Sequence, residues 1–254
     1  MTKYLFGCRL SEQKDWADKY PFRLLGITPP KEDEVDLKFP YQLANKMKQV
    51  RSSCAAHALG WVTMINNMPR PIREQNPKSY LFDNEWMYDE ARLGDGYPDN
   101  DDIDDPRCDL GTAIWSAMNV LMKKGHRQIL RDKSLKPNIK WGIDGYYWCQ
   151  TITEMETAIS LGRPIEFGLA IPEALIQWEV INDEYWIGEK KPWGNIVGSH
   201  AMCCNRYSRS RQAFQLIHTW YDFPLRTWIS YKTVEALMKL AGEACVGIDK
   251  SAMG

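Results

Sequence analysis

The sequence predicts an α+β protein, with helices gathered in its front half and strands in its back half. Apolar residues recur at helical spacing in three segments between residues 53 and 124. Short β-branched and aromatic runs follow between residues 146 and 229. This segregation, rather than strict alternation of strand and helix, is the pattern of an α+β chain. A cysteine at the head of the first helix supplies the first chemical signal.

The elements follow in order. Residues 1–47 are irregular, with Pro29-Pro30, the charged Lys31-Glu32-Asp33-Glu34, and a short alternating run from Val35 to Phe39. They are expected to lie as an arm across the surface. From Ser53 to about Asn66, the positions Ala55, Ala58, Leu59, Val62 and Ile65 form one apolar stripe. Pro69 and Pro71 stop that helix, because proline removes a donor and pushes its predecessor out of the α region. A second helix is expected over Ser79–Arg92, with Leu81, Phe82, Trp86 and Met87 inward. A third is expected over Gly111–Lys124, striped by Ile114, Ala117, Met118, Leu121 and Met122 and stopped by Gly125.

Beyond residue 140 the expected strands are Tyr146–Cys149, Pro164–Ile171, Ala201–Tyr207, Phe214–Thr219 and a run at Trp228-Ile229. Between them, Thr151–Leu161 reads as a helix with Thr151 or Thr153 as N-cap and Gly162 as stop. Lys232–Leu240 reads as a closing helix. Domain organisation is accordingly a single unit: arm 1–47, helical part about 48–135, β-rich part about 136–254.

Composition narrows the function classes. The 254 residues carry a net charge of −1, 44% apolar and 26% charged residues, as in an ordinary globular protein. A near-neutral chain with a pI of about 6.4 has no electrostatic footprint for nucleic acid or an anionic membrane. No apolar run approaches the roughly 20 residues of a membrane span. Met1–Cys8 turns polar too soon for a signal peptide, so a cytoplasmic or virion-associated, non-secreted location is the expectation.

Seven cysteines, an odd number without regular spacing, argue against a disulfide framework. No C-x-x-C pair is present, and no metal or cofactor is expected. Cys203 and Cys204 read as packing residues. The acidic stretch Asp99–Pro106 lacks the glycine and glutamate positions of an EF-hand and reads as a solvated loop.

The chemistry centres on Gln49-Val50-Arg51-Ser52-Ser53-Cys54. A cysteine in the first helical turn meets unpaired N–H groups and the positive end of the helix dipole, which favour a thiolate. Only four histidines can serve it as base. His200 lies among the small residues Gly198, Ser199 and Ala201, a mount suited to an imidazole facing a cleft. His218 ends the next strand, so antiparallel pairing brings it near His200. His57, one turn after Cys54, is a rival base or a core residue. His126 reads as an exposed helix-end residue, and Asp222 as an alternative orienting acid if the turn after Trp220 folds back.

These motifs resemble those of the papain-like cysteine peptidases, most closely short bacterial and phage-type members without a long propeptide. Cys54-Ala55-Ala56-His57-Ala58-Leu59 looks like the family's C-x-A-x-A-L segment, and Gly198-Ser199-His200-Ala201 like its G-G-H-A. Ile217-His218-Thr219-Trp220 falls where the family has N-S-W. His200 follows Cys54 by 146 residues, within the roughly 130–150 of papain-type pairs.

The resemblance implies a helical lobe packed against a β-barrel-like lobe with a cleft between them. It implies a peptidase, or a related amide-bond acyl-transfer enzyme, acting on a peptide or protein substrate. Cys54 would be the nucleophile and His200 the general acid and base. His218 would be the orienting group at the usual Asn position, accepting a hydrogen bond from the His200 ring. Gln49 would be the oxyanion donor, five residues before Cys54 where the family usually has six. The alternative is a papain-fold protein without activity, serving as a binding or assembly component, for example within a phage particle.

Overall fold

The computed structural model describes residues 8–10, 20–26, 28–39, 48–49, 51–67, 81–95, 111–129, 135–189 and 191–248. Pro69, Pro71, Ser79, Cys108 and the acidic stretch 99–106 lie outside them. Five helices are described: α1 (Cys54–Asn67), α2 (Asn84–Gly94), α3 (Ile114–Lys123), α4 (Ile152–Ser160) and α5 (Tyr231–Ala241). None of the described helices is long and apolar enough to cross a membrane.

The second helix starts later than the periodicity predicts. Leu81–Phe82 form strand β3, and the Asp83 side chain accepts from the Trp86 N–H to cap α2. The third helix also starts late, because Thr112–Ala113 form strand β4 beside Gly111 at φ 82°. Gly125, at φ 71°, ends α3 as its sequence position predicts. Thr151 and Glu154 close a capping box at the head of α4, which settles the N-cap on Thr151.

The body of the molecule is a nine-stranded sheet. Its strands are β2 (Glu34–Asp36), β7 (Gly145–Trp148), β8 (Ile165–Pro172), β9 (Trp178–Ile181), β10 (Glu184–Ile187), β11 (Ile196–Ser208), β12 (Ala213–Ile217), β13 (Arg226–Ser230) and β14 (Glu243–Ile248). They run in the order β7-β14-β8-β11-β12-β13-β10-β9. β8 pairs with β11 over Ile196–Cys204, and β2 pairs with it at Arg206–Ser208. The arm thus supplies a strand to the sheet. Strand β1 (Cys8–Arg9) pairs in parallel with β4, and β5 (His126–Ile129) pairs with β3 and β6 (Leu135–Trp141).

Both faces of the sheet are covered. Cys54, Leu59, Trp61, Met87 and Met118 of the first three helices pack with Ala201, Cys203, Ile217 and Cys245 in one core. Met155, Ile159, Val234 and Leu237 of α4 and α5 pack with Phe167, Leu169, Met202 and Cys204 in the other. Successive side chains of a strand point to opposite faces, so adjacent Cys203 and Cys204 are both buried, one in each core. Burial of each Leu, Ile, Val, Phe or Met side chain in these cores contributes about 1.5–3 kcal/mol.

Candidate active site

The loop entering α1 is clamped before it reaches Cys54. Arg51 donates from Nε to Glu85 Oε2 and from Nη2 to Asp89 Oδ1, both at 2.5 Å, tying the loop to α2. Ser53 Oγ donates to Glu85 Oε1 at 3.0 Å, while the Ser53 carbonyl accepts from the His57 N–H at 3.0 Å. Ser53 therefore caps α1 through its backbone and spends its hydroxyl on Glu85. Burial raises the Glu85 pKa, but hydrogen bonds from His57 and Arg51 outweigh it and bring the carboxyl down to about 2.

Cys54 follows, fully buried at the first turn of α1. Its sulfur accepts a hydrogen bond from the Ala201 N–H at 3.4 Å. This contact brings the helix and the back-half strand β11 together at the residue next to His200. His200 has no exposed surface and stacks on Trp220, with ring centroids 4.0 Å apart and planes 18° apart. Trp220 packs edge-on against Phe223 at 5.2 Å, and Phe223 against Trp178 at 5.1 Å. Lys48 Nζ donates to the Trp220 carbonyl, holding that turn from the other side.

Gln49 is placed beside the same turn. Its N–H donates to the Thr219 carbonyl at 3.1 Å, and its Oε1 accepts from Thr219 Oγ1 at 2.6 Å. The carboxamide nitrogen points the opposite way and donates to the Arg51 carbonyl at 3.3 Å, over the turn that opens into Cys54. The amide therefore lies next to the loop that leads into Cys54.

His218 corrects the expectation drawn from its position. The hydrogen bond from the His200 ring to His218 is not formed. The two rings lie 6.3 Å apart and 13° from parallel, with no hydrogen bond between them. His218 Nε2 instead pairs with Thr227 Oγ1 at 2.6 Å, and neither His200 nitrogen has a partner among the described residues. Burial, then the Lys48 charge, lowers the His218 pKa to about 3. Burial, then His218, holds His200 well below the usual imidazole range. Burial thus favours the neutral form of both rings.

The remaining titratable groups sort themselves. His57 Nε2 sits 2.9 Å from Glu85 Oε1 and its Nδ1 3.4 Å from Asn84 Nδ2, so this ring belongs to the loop clamp. His126 is 1% exposed, not at the surface as its place after Gly125 implies. It belongs to β5, pairs through Nδ1 with Thr63 Oγ1 at 3.2 Å, and burial lowers its pKa to about 3. Asp222 is exposed, with its charge acting on Lys48, and does not orient the buried His200. Among the described residues no cluster of three or more His, Cys, Asp or Glu is placed to hold a metal ion.

No protein-family model matches the chain, and neither does any curated protein sequence. Solved structures do match. Xylellain, a cysteine protease from Xylella fastidiosa, superposes with a TM-score of 0.66 at 16% identity, over 98% of this chain and 99% of that one. A procathepsin B from Trypanosoma congolense gives 0.57 at 11% identity, over 96% and 86%. Procathepsin L2 from the larval midgut of Tenebrio molitor gives 0.56 at 12%, over 96% and 78%. The fold is papain-like.

Within this papain-like fold, α1 to α3 form the helical side and the large sheet forms the other, with Cys54 of α1 against the Ala201 N–H of β11 where they meet. Three site contacts lie beyond motif reading. The Ala201 N–H is a backbone group and leaves no trace in residue type. The Thr219–Gln49 bond joins positions 170 apart in sequence. Strand β1 reaches the same line: Ser199 Oγ, next to His200, donates to the Cys8 carbonyl.

Proposed function

We propose that this chain is a cysteine peptidase acting on peptide or protein substrates, with Cys54 as nucleophile and His200 as proton carrier. The observation that carries the reading is the Ala201 N–H to Cys54 Sγ contact, which sets the helix-terminal thiol against the strand bearing His200. Cys54 passes its proton to His200, the resulting thiolate attacks the scissile carbonyl carbon, and His200 returns that proton to the departing amine. Water then attacks the thioester while His200 takes its proton, and the Cys54 sulfur leaves. The Cys54 N–H, and an amide hydrogen of Gln49 once it turns from Arg51, stabilise the oxyanion. Stacking on Trp220 orients the His200 ring in place of the expected hydrogen bond. His218 acts one layer further out, as a neutral positioning residue.

A second reading draws on the His200 nitrogens, which have no partner among the described residues. Without a group to fix its tautomer, the fold serves as a binding or assembly component instead of an enzyme.

Labelling with an electrophilic cysteine-protease probe at neutral pH separates the two. Selective modification of Cys54, abolished in Cys54→Ala and slowed about 100-fold or more in His200→Ala, is the expected result. Labelling spread over several cysteines, or indifferent to His200, overturns the peptidase reading in favour of the second.

A further inference from the structure

Strand β1 bridges the two sides of the molecule. On one side Cys8 and Arg9 pair with Thr112 and Ala113 at the head of α3, and on the other the Cys8 carbonyl accepts from Ser199. The Cys8 side chain points inward, 3% exposed, and belongs to the same buried cluster as Cys54. Its sulfur lies 3.1 Å from where a Cβ on Gly168 would stand. Gly168 is the cross-strand partner of Ala201, whose N–H donates to the Cys54 sulfur at 3.4 Å.

Partners across an antiparallel ladder are about 4.5–5.5 Å apart at Cα, so the two sulfurs flank a single rung. The two thiols also feel each other. Burial raises the Cys8 pKa first, and the charge of Cys54 raises it further. The other described cysteines, Cys149, Cys203, Cys204 and Cys245, are buried in or beside the sheet. Cys8 alone among them sits on a two-residue strand, which pairs with β4 and accepts from Ser199.

We propose that Cys8 and Cys54 form a reversible disulfide that fastens β1 across the cleft and takes the nucleophile out of use. This rests on Cys54 being the reactive thiol of the proposed peptidase. The oxidant is a peroxide. With β1 lifted, the Cys54 thiolate attacks one peroxide oxygen; an S–O bond forms, the O–O bond breaks, and hydroxide leaves and is protonated to water. With β1 seated again, the Cys8 sulfur attacks the Cys54 sulfenic acid. An S–S bond forms, the S–O bond breaks, and the hydroxide leaves with the Cys8 proton as a second water. Two electrons pass from the two thiols to the peroxide, and a dithiol reductant reverses the change.

The low exposure of both cysteines gives the step its order. Cys54 is oxidised only in the open state, and Cys8 reaches it only in the closed one. A thiol within reach then diverts the sulfenic acid from irreversible over-oxidation.

The test treats the full-length protein with hydrogen peroxide, blocks remaining thiols, and maps disulfides by mass spectrometry without reduction. The expected product joins the peptide holding residue 8 to the one holding residue 54. It is absent in Cys8→Ser and is released by dithiothreitol with full return of Cys54 labelling. In Cys8→Ser, peroxide instead drives Cys54 to sulfinic acid, and labelling does not return. Oxidised Cys54 without Cys8 attached, Cys8 joined to another cysteine, or no reaction of Cys54 overturns the proposal. Failure of the peptidase reading is separately visible: a Cys8–Cys54 disulfide together with probe labelling indifferent to His200 keeps the latch and removes the enzyme.

Discussion

Glu166 is the residue that sits least easily in its surroundings. It is fully buried on β8, and neither carboxyl oxygen has a partner among the described residues. Its cross-strand neighbours are Cys203 on β11 and Cys245 on β14. Burial, reinforced by the charge of Glu243, raises its pKa well above the usual carboxyl range, so the neutral acid is the folded form. The unfolded chain releases that proton near pH 4.5, and the folded chain holds it to higher pH. The stabilising contribution is therefore complete below pH 4.5 and is lost as pH rises through the folded pKa. Glu166→Gln is expected to remove this alkaline loss, so its stability relative to wild type grows from pH 5 to pH 8 in urea titrations. Parallel curves across that range would sink the assignment. Nothing in Ile165-Glu166-Phe167 announces the burial, because alternation places a charge outward only when one face of a strand meets water. Every residue of β8 is buried. Cys54 and His200 could be put forward from the sequence for the opposite reason: thiol and imidazole are few, and their order along the chain limited the pairings.

Elements were legible where a cap or a stop marks them. Thr151, Gly125 and Gly162 each hold the conformation their residue type prefers, and Gly162 sits at φ 80°. Two-residue strands such as β1 and β4 carry no period, so no sequence pattern reveals them. The β9–β10 hairpin did carry a signal: Asn182 and Asp183, at φ 51° and 62°, form the kind of turn that joins two strands. The seating of β1 depends on one missing side chain. A Cβ at Gly168 would stand 2.8 Å from Ile114 Cδ1 and 3.1 Å from both Cys8 Sγ and Leu10 Cδ2. The tip of the Ile114 side chain must shift first, and the other two contacts press on β1 and the residue after it. Gly168→Val is expected to unseat β1 and raise the alkylation rate of Cys54 by about tenfold, an effect of about 1.4 kcal/mol on the closed state. Far-UV circular dichroism should stay unchanged, since the β8–β11 ladder is made by backbone. An unchanged or slower alkylation rate would show that β1 does not limit access to Cys54.

At the scale of the whole molecule, the ordered motifs spoke for the fold, while the protonation of its interior emerged only once the chain was packed. His126, His200 and His218 are all buried, two lowered to about 3 and His200 well below its usual range. A histidine held neutral binds its proton more weakly folded than unfolded, so the chain loses stability as pH falls below about 6.5. Each such ring contributes a slope of about 1.4 kcal/mol per pH unit. Glu166 opposes them by one proton above pH 4.5, and Glu85, lowered to about 2, enters only below that. The net difference between pH 6.5 and 4.5 is two protons, or about 3 kcal/mol per pH unit, against a typical total stability of about 5–15 kcal/mol. The protein is accordingly expected to unfold near pH 4.5, unlike a peptidase built for acid compartments. His126 provides the control, since its ring meets Thr63 and Phe82 and takes no part in the proposed chemistry. His126→Asn should remove one proton from the dependence, halving the slope to about 1.4 kcal/mol per unit. Urea unfolding of both proteins at half-unit steps from pH 4.5 to 7.5 measures both slopes. Equal slopes would mean that His126 is protonated in the native state, and a wild type that gains stability on acidification would mean that the buried carboxyl outweighs all three rings.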